Sequence, residues 1–126
     1  MLAKYPLEAS LPASDIERAK AFYRDKLGLT PAEETEDGGA FYDTGGARFM
    51  VYPSGFAGTN QATAAGWQVD DIESVVAGLT ANGVVFQEYD FDELKTVDGI
   101  ATLPNGIKGA WFTDSEGNIL SLFQMA

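Results

Sequence analysis

The chain contains no histidine and no cysteine. Without histidine there is no imidazole base, no imidazole metal ligand and no serine–histidine triad, so any catalysis must use other groups. Without cysteine there is no disulfide, no thiolate metal site and no thiol nucleophile. Basic residues are scarce too, 8 against 19 acidic ones, for a formal charge of −11. That field repels nucleic acid phosphates and anionic membrane surfaces and leaves cationic or neutral partners, although solubility alone also accounts for an acidic surface. No apolar run approaches the roughly 18 residues of a membrane span, and the first residues lack a basic start followed by an apolar block. The expectation is a cytoplasmic protein with neither a nucleic acid nor a membrane partner.

What is present is a repeat. The phrase Ser14-Asp15-Ile16-Glu17 returns as Asp70-Asp71-Ile72-Glu73, with Asp15 and Asp71 56 residues apart. In each copy Ser14 or Asp70 can cap the free amides of a helix while the glutamate three positions on reaches back. Apolar residues follow at helical spacing, Ile16, Ala19, Phe22, Tyr23 and Leu27, then Ile72, Val75, Val76 and Leu79. Each run ends at a glycine, Gly28 or Gly83, suited to a left-handed helix end. A chain of 126 residues fits one domain, residues 1–126, with a core that needs no covalent staples.

The flanks repeat as well. Leu7 to Leu11 alternates, with Leu7, Ala9 and Leu11 on one face and Glu8 and Ser10 on the other, which reads as a strand; Pro12 ends it or marks an edge. After the first helix, about Asp15 to Leu27, strands are expected at Thr30–Thr35, Ala40–Asp43 and Ala47–Tyr52, the last two joined through Thr44-Gly45-Gly46. Pro53 to Thr63 has loop composition. The second half then runs strand Ala64–Val69, helix Asp71–Ala81, strand Val84–Tyr89, a long acidic and glycine-rich connection Asp90–Lys108, and a hairpin of Gly109–Thr113 with Ile119–Gln124. A connection of that length is expected to be a functional cover or mobile. Two βαβββ modules result, about 5–53 and 64–125, the second carrying about 15 extra residues before its hairpin. The fold class is α+β, the modules forming a paired, partly open mixed sheet with a shared concave surface and the helices outside.

These residues carry a resemblance. Ala13 to Tyr23 with Leu27-Gly28-Leu29, Val69-Asp70-Asp71-Ile72, and Trp111-Phe112-Thr113-Asp114-Ser115-Glu116-Gly117-Asn118-Ile119-Leu120 together resemble the vicinal oxygen chelate superfamily. That superfamily includes glyoxalase I, extradiol dioxygenases, fosfomycin-resistance enzymes and bleomycin-resistance proteins. The resemblance spans nearly the whole chain and is specific for fold, because the matching residues are mostly caps, core positions and a turn. It implies a divalent metal held by inward-facing strand residues at four places, which fall here on Glu8, Met50, Ala64 and Ser121. One carboxylate and one hydroxyl do not make the anchored ligand set of a catalytic metal site, so no metal and no cofactor are expected.

With the metal gone, the resemblance leaves a cavity. Its lining by strand alternation is Glu8, Ser10, Arg48, Met50, Tyr52, Ala64, Gly66, Gln68, Ile119, Ser121 and Phe123, with Trp111 joining from the neighbouring strand, where Trp111 and Phe112 are both large. The opposite positions, Leu7, Ala9, Leu11, Phe49, Val51, Trp67, Leu120 and Leu122, suit a core. The candidate ligand-binding residues are Glu8, Ser10, Arg48, Met50, Tyr52, Gln68, Trp111, Ser121 and Phe123; the bland alternative is that they pack on one another or at a dimer interface. Three functions compete. One is metal-free sequestration of a small aromatic or cationic molecule, in a homodimer whose paired sheets form the groove, as the resemblance implies. The second is a metal-independent enzyme with Glu8 as general acid or base, its pKa raised by a greasy pocket, and Tyr52 or Arg48 stabilising negative charge. Least favoured is a metal-dependent glyoxalase or dioxygenase.

Overall fold

The computed structural model describes residues 1–126. Its elements run β1 (Ala9–Ala13), α1 (Ile16–Asp25), β2 (Glu33–Glu34), β3 (Ala40–Thr44), β4 (Ala47–Pro53), β5 (Thr63–Gln68), α2 (Ile72–Ala81), β6 (Thr96–Val97), β7 (Ile100–Thr102), β8 (Lys108–Thr113) and β9 (Ile119–Gln124). They form two mixed sheets, β1-β4-β3-β2 and β5-β9-β8-β7-β6, in which β1 runs parallel to β4 and β5 parallel to β9. No strand of one sheet pairs with a strand of the other. The α+β architecture of tandem βαβββ modules is thus present, as two neighbouring sheets rather than one.

Both helices start where the repeat places them, but the caps differ from expectation. Asp15 and Asp71, not Ser14 and Asp70, accept from the amides of Arg18 at 3.1 Å and Ser74 at 3.3 Å. Glu17 does not reach back. The free Asp15 amide donates instead to Glu116 Oε1 at 2.9 Å, from the far end of the chain, and the Ile72 amide to Gln124 Oε1 at 2.8 Å. At the other end of α1, Gly28 at φ 72° lets Leu29 N–H bond back to Tyr23 O at 2.8 Å, the six-residue closure that a left-handed glycine permits.

Three strand expectations need correction. The first strand begins at Ala9, so Leu7 is not in the core but 99% exposed. Thr30–Thr35 contracts to Glu33–Glu34. Val84–Tyr89 is not a strand and touches the sheet at one bridge, Phe86 to Phe112. The missing strand comes from inside the long connection, as the hairpin β6–β7 turned by Asp98-Gly99, with φ 53° and 81°. An Asp-Gly pair flanked by Val97 and Ile100 is a strong hairpin signal, because both turn residues must take positive φ.

Elsewhere the two faces of the strands are as the alternation predicts. Leu11, Ala13, Tyr42, Phe49, Val51, Ala110, Phe112, Leu120 and Leu122 are buried on the helix side. Ser10, Met50, Tyr52, Gln68, Ser121 and Phe123 lie on the other face and are exposed or half-buried. The core crosses the module boundary: Tyr23 contacts Tyr42 at 5.5 Å between ring centroids, Tyr42 stacks on Phe49 at 5.1 Å, and Phe49 meets Trp67 of module two at 6.3 Å. Such pairs add stability beyond their buried area.

The β8–β9 turn grips module one. Buried Asp114 accepts from Tyr23 Oη at 2.6 Å, from Asn118 Nδ2 at 2.9 Å, and from the Glu116 and Asn118 amides at 2.9 Å each. Burial and the facing Asp114 charge push the Tyr23 hydroxyl pKa up, so it stays a donor. Asn118 Nδ2 also reaches Pro12 O at 2.9 Å. Glu116 accepts from Arg18 Nε at 2.8 Å, Arg18 Nη2 at 3.1 Å and Ser115 Oγ at 2.7 Å. Burial pushes the Glu116 carboxyl up, but the bonds from Arg18, the Asp15 amide and Ser115, with the Arg18 charge, bring it down to about 2. No helix is long and apolar enough to cross a membrane.

Candidate functional site

The open, non-helix faces of the two sheets carry the candidate residues in two groups. On the first sheet the register puts Ser10, Met50 and Phe41 in one row and Pro12 beside Tyr52 in the next. Arg48 stands on the same face but is already engaged. Its Nε donates to Asp43 Oδ1 at 2.8 Å, its Nη1 to Glu33 Oε2 at 3.0 Å, and its guanidinium lies 5.4 Å from the Phe41 ring centroid. The bond to Asp43 above all holds its pKa up. With two carboxylates on it, Arg48 is poorly placed to stabilise a further negative charge on a substrate.

On the second sheet Gly66, Ser121 and Trp111 form one row, and Gln68 and Phe123 the next. Residues paired directly across strands share a face, which puts Trp111 on the open side and Phe112 in the core. Two glycines make this row possible. A side chain at Gly66 would collide with Ser121 Oγ, and one at Gly109 would lie 2.8 Å from the Trp111 ring, which covers that bare backbone. Ala64 falls at a register shift of β5 and is exposed.

The segment after α2, with the start of the long connection, supplies what alternation could not reveal. Tyr89 meets Trp111 edge to face at 5.8 Å and stacks on Phe91 at 5.9 Å. The Tyr89 amide donates to Thr96 Oγ1 at 2.8 Å and Thr96 N–H returns a bond to Tyr89 O at 2.9 Å, so backbone bonds fix the corner. The sequence shows Phe86, Tyr89 and Phe91 as aromatic residues in a segment otherwise read as strand and acidic loop, without showing what they meet.

Glu8 lies exposed just before β1. With Arg48 and Gln68 it lines a cleft of about 570 Å3 between β1 and β5, whose apolar side includes Leu7, Phe49 and Trp67. Ser10, Met50, Tyr52, Trp111, Ser121 and Phe123 lie outside that cleft. The positions onto which the resemblance carries the metal ligands hold Glu8, Met50, Ala64 and Ser121, and nowhere do three carboxylates converge. That donor set does not fit a divalent ion, which wants several anchored carboxylate or imidazole ligands.

Residues 7–122 match the Glyoxalase/Bleomycin resistance protein/Dioxygenase superfamily, and the chain belongs to that family. Among solved structures it resembles a lactoylglutathione lyase from Agrobacterium tumefaciens, with TM-score 0.72 and 18% identity over 98% of this chain and 96% of that one. It also resembles an antibiotic-binding protein from Streptomyces sp. CB03234, with TM-score 0.67 and 21% identity over 100% and 99%. A third likeness is a fosfomycin resistance protein from Listeria monocytogenes complexed with Mn(II), with TM-score 0.69 and 13% identity over 100% and 93%. No curated protein matches in sequence. At these identities the likeness establishes the fold.

Proposed function

We propose that this chain is a metal-free binding protein for a small, planar, aromatic cation, held on the open sheet faces. The observation that carries the reading is the aromatic corner of Trp111, Tyr89 and Phe91 beside Ser121 on the second sheet. Phe91, 61% exposed, offers ring surface at this corner to a stacked guest, and a cation gains from both the ring quadrupoles and the charge of −11. The antibiotic-binding relative shows that this fold serves antibiotic binding in another protein. We further propose that the chain works as one domain of two modules, 5–53 and 64–125, in the cytoplasm and as a homodimer. Support for the dimer comes from the distribution of candidates over two open faces that a single chain leaves uncovered, and from exposed Leu2, Tyr5 and Leu7 before β1.

A metal-independent reaction with Glu8 as acid or base is the second reading, favoured by its position in the cleft beside Gln68 and Trp67. Turnover separates the two: Glu8→Gln abolishes it under the second reading, and under the first the wild-type protein binds its guest without turning it over.

Calorimetric titration with 9-aminoacridinium in the presence of chelator tests the first reading. Saturable binding that Trp111→Ala weakens about tenfold or more is expected, the scale of losing a desolvated stacking and cation–π contact. Affinity unaffected by Trp111→Ala, or dependent on added divalent metal, would contradict it. Sedimentation at micromolar concentration checks the dimer, and a strict monomer would confine the guest to a single chain.

A further inference from the structure

The largest cavity lies away from the open faces. It is an open groove of about 1130 Å3 between α2 and the segment 84–102, slightly larger than ordinary ligand sites. Val76 and Val84 line it as buried residues, Phe86 and Ile100 are half-buried, and Val85 and Val97 stand 82% and 74% exposed along it.

The equivalent place in module one is spanned by an ion pair. Lys20, the repeat counterpart of Val76, extends from α1 to Glu34 on β2, with Nζ to Oε1 at 3.2 Å and its side chain only 15% exposed. That bond ties the strand after the helix to the helix itself. In module two a valine replaces the lysine, and the strand after the helix has moved out into the long connection as β6. The extra residues of the second repeat therefore open a groove where the first repeat has a bridged contact.

The charged groups that line it without a partner are both carboxylates. Lys108 Nζ is bound to Glu73 Oε1 at 2.6 Å, and that bond holds the Glu73 carboxyl below its usual range. Lys95 lies 4.0 Å from Asp90. Glu88 and Asp98, by contrast, have no ion-pair or hydrogen-bond partner for their side chains. They share one end of the groove: a side chain on Gly99 would meet Phe86 Cβ at 2.9 Å and Glu88 Oε1 at 3.6 Å, so the Glu88 carboxylate stands beside the Asp98-Gly99 turn. The left-handed backbone of both turn residues fixes where Asp98 sits.

We propose that this groove is a second binding site, for an elongated apolar molecule carrying a single cationic amine. The hydrocarbon lies along Val76, Val84 and Val97, and the ammonium stands between Glu88 and Asp98. An anion of the same length meets two carboxylates there and the field of an acidic protein.

Octyltrimethylammonium, below its aggregation concentration, is the probe, read by calorimetry and by methyl NMR of the valines. Saturable one-to-one binding is expected, with shifts at Val76, Val84 and Val97. Ala77→Trp and Thr80→Trp, which fill the groove from exposed positions of α2, should each weaken it about tenfold with circular dichroism and melting unchanged. Glu88→Gln with Asp98→Asn should weaken it about fivefold, and octanoate should bind about tenfold less tightly than the cation. Trp111→Ala should leave it unchanged, so that failure here and failure of the open-face reading are distinguishable. No saturable binding of the cation, octanoate binding as tightly, or unchanged affinity in both tryptophan variants would overturn the proposal.

Discussion

Two turns occupy the same place in the repeat and are bonded very differently. Asp114 to Asn118, in module two, holds module one through buried Asp114, Glu116 and Asn118, each with several partners. Thr44-Gly45-Gly46, in module one, offers module two a single long bond, from Trp67 Nε1 to Thr44 Oγ1 at 3.3 Å. The residues that most strongly mark the family in this chain therefore clasp its two halves together. The repeats diverge in the open-face side chains and in the longer second connection, where the two proposed binding sites lie.

Breaking the strong turn should have the largest effect. Asp114→Ala leaves the Tyr23 hydroxyl and the Glu116 and Asn118 amides without a partner, and each such buried group costs about 1–3 kcal/mol, so a loss of about 3 kcal/mol or more is expected in urea unfolding. Tyr23→Phe removes one donor while Asn118 still serves Asp114, and about 1–2 kcal/mol is expected.

A smaller, pH-dependent loss should come from Glu116. Its folded pKa of about 2 lies below the ordinary 4.5, so its contribution is complete above about pH 4.5 and fades as pH falls toward 2. Because Arg18 is half exposed, the effect is screened by solvent and salt. Glu116→Gln should flatten the stability curve between pH 4.5 and 2 relative to wild type, and parallel curves would contradict the assignment. Thr44→Val, on the weak turn, should cost under about 1 kcal/mol. A loss at Thr44 as large as that at Asp114 would erase the contrast between the turns.

The repeat, both helices and the inner and outer faces of β4 and β9 were legible because periodicity reports burial directly. Leu7 misled because alternation continues past the point where β1 has a partner; only pairing with β4, which begins at Ala9, ends the strand. The Glu116 cap on Asp15 was hidden, since local sequence offers Glu17 for that role and the true partner lies 101 residues away. In the second connection the Asp98-Gly99 turn carried a readable signal. The meeting of Tyr89 with Trp111 did not, because it depends on how the hairpin folds back. Of the nine candidate residues, the structure sets Ser10 beside Met50, Ser121 beside Trp111 and Gln68 beside Phe123, while Arg48 is tied to Asp43 and Glu33.

Amide NMR mapping of 9-aminoacridinium binding, with chelator present, tests the central claim most directly. The account predicts shifts at Trp111, Ser121, Phe123 and Tyr89 at saturating guest without any metal. Shifts confined to other surfaces, or none until a divalent ion is added, would contradict it.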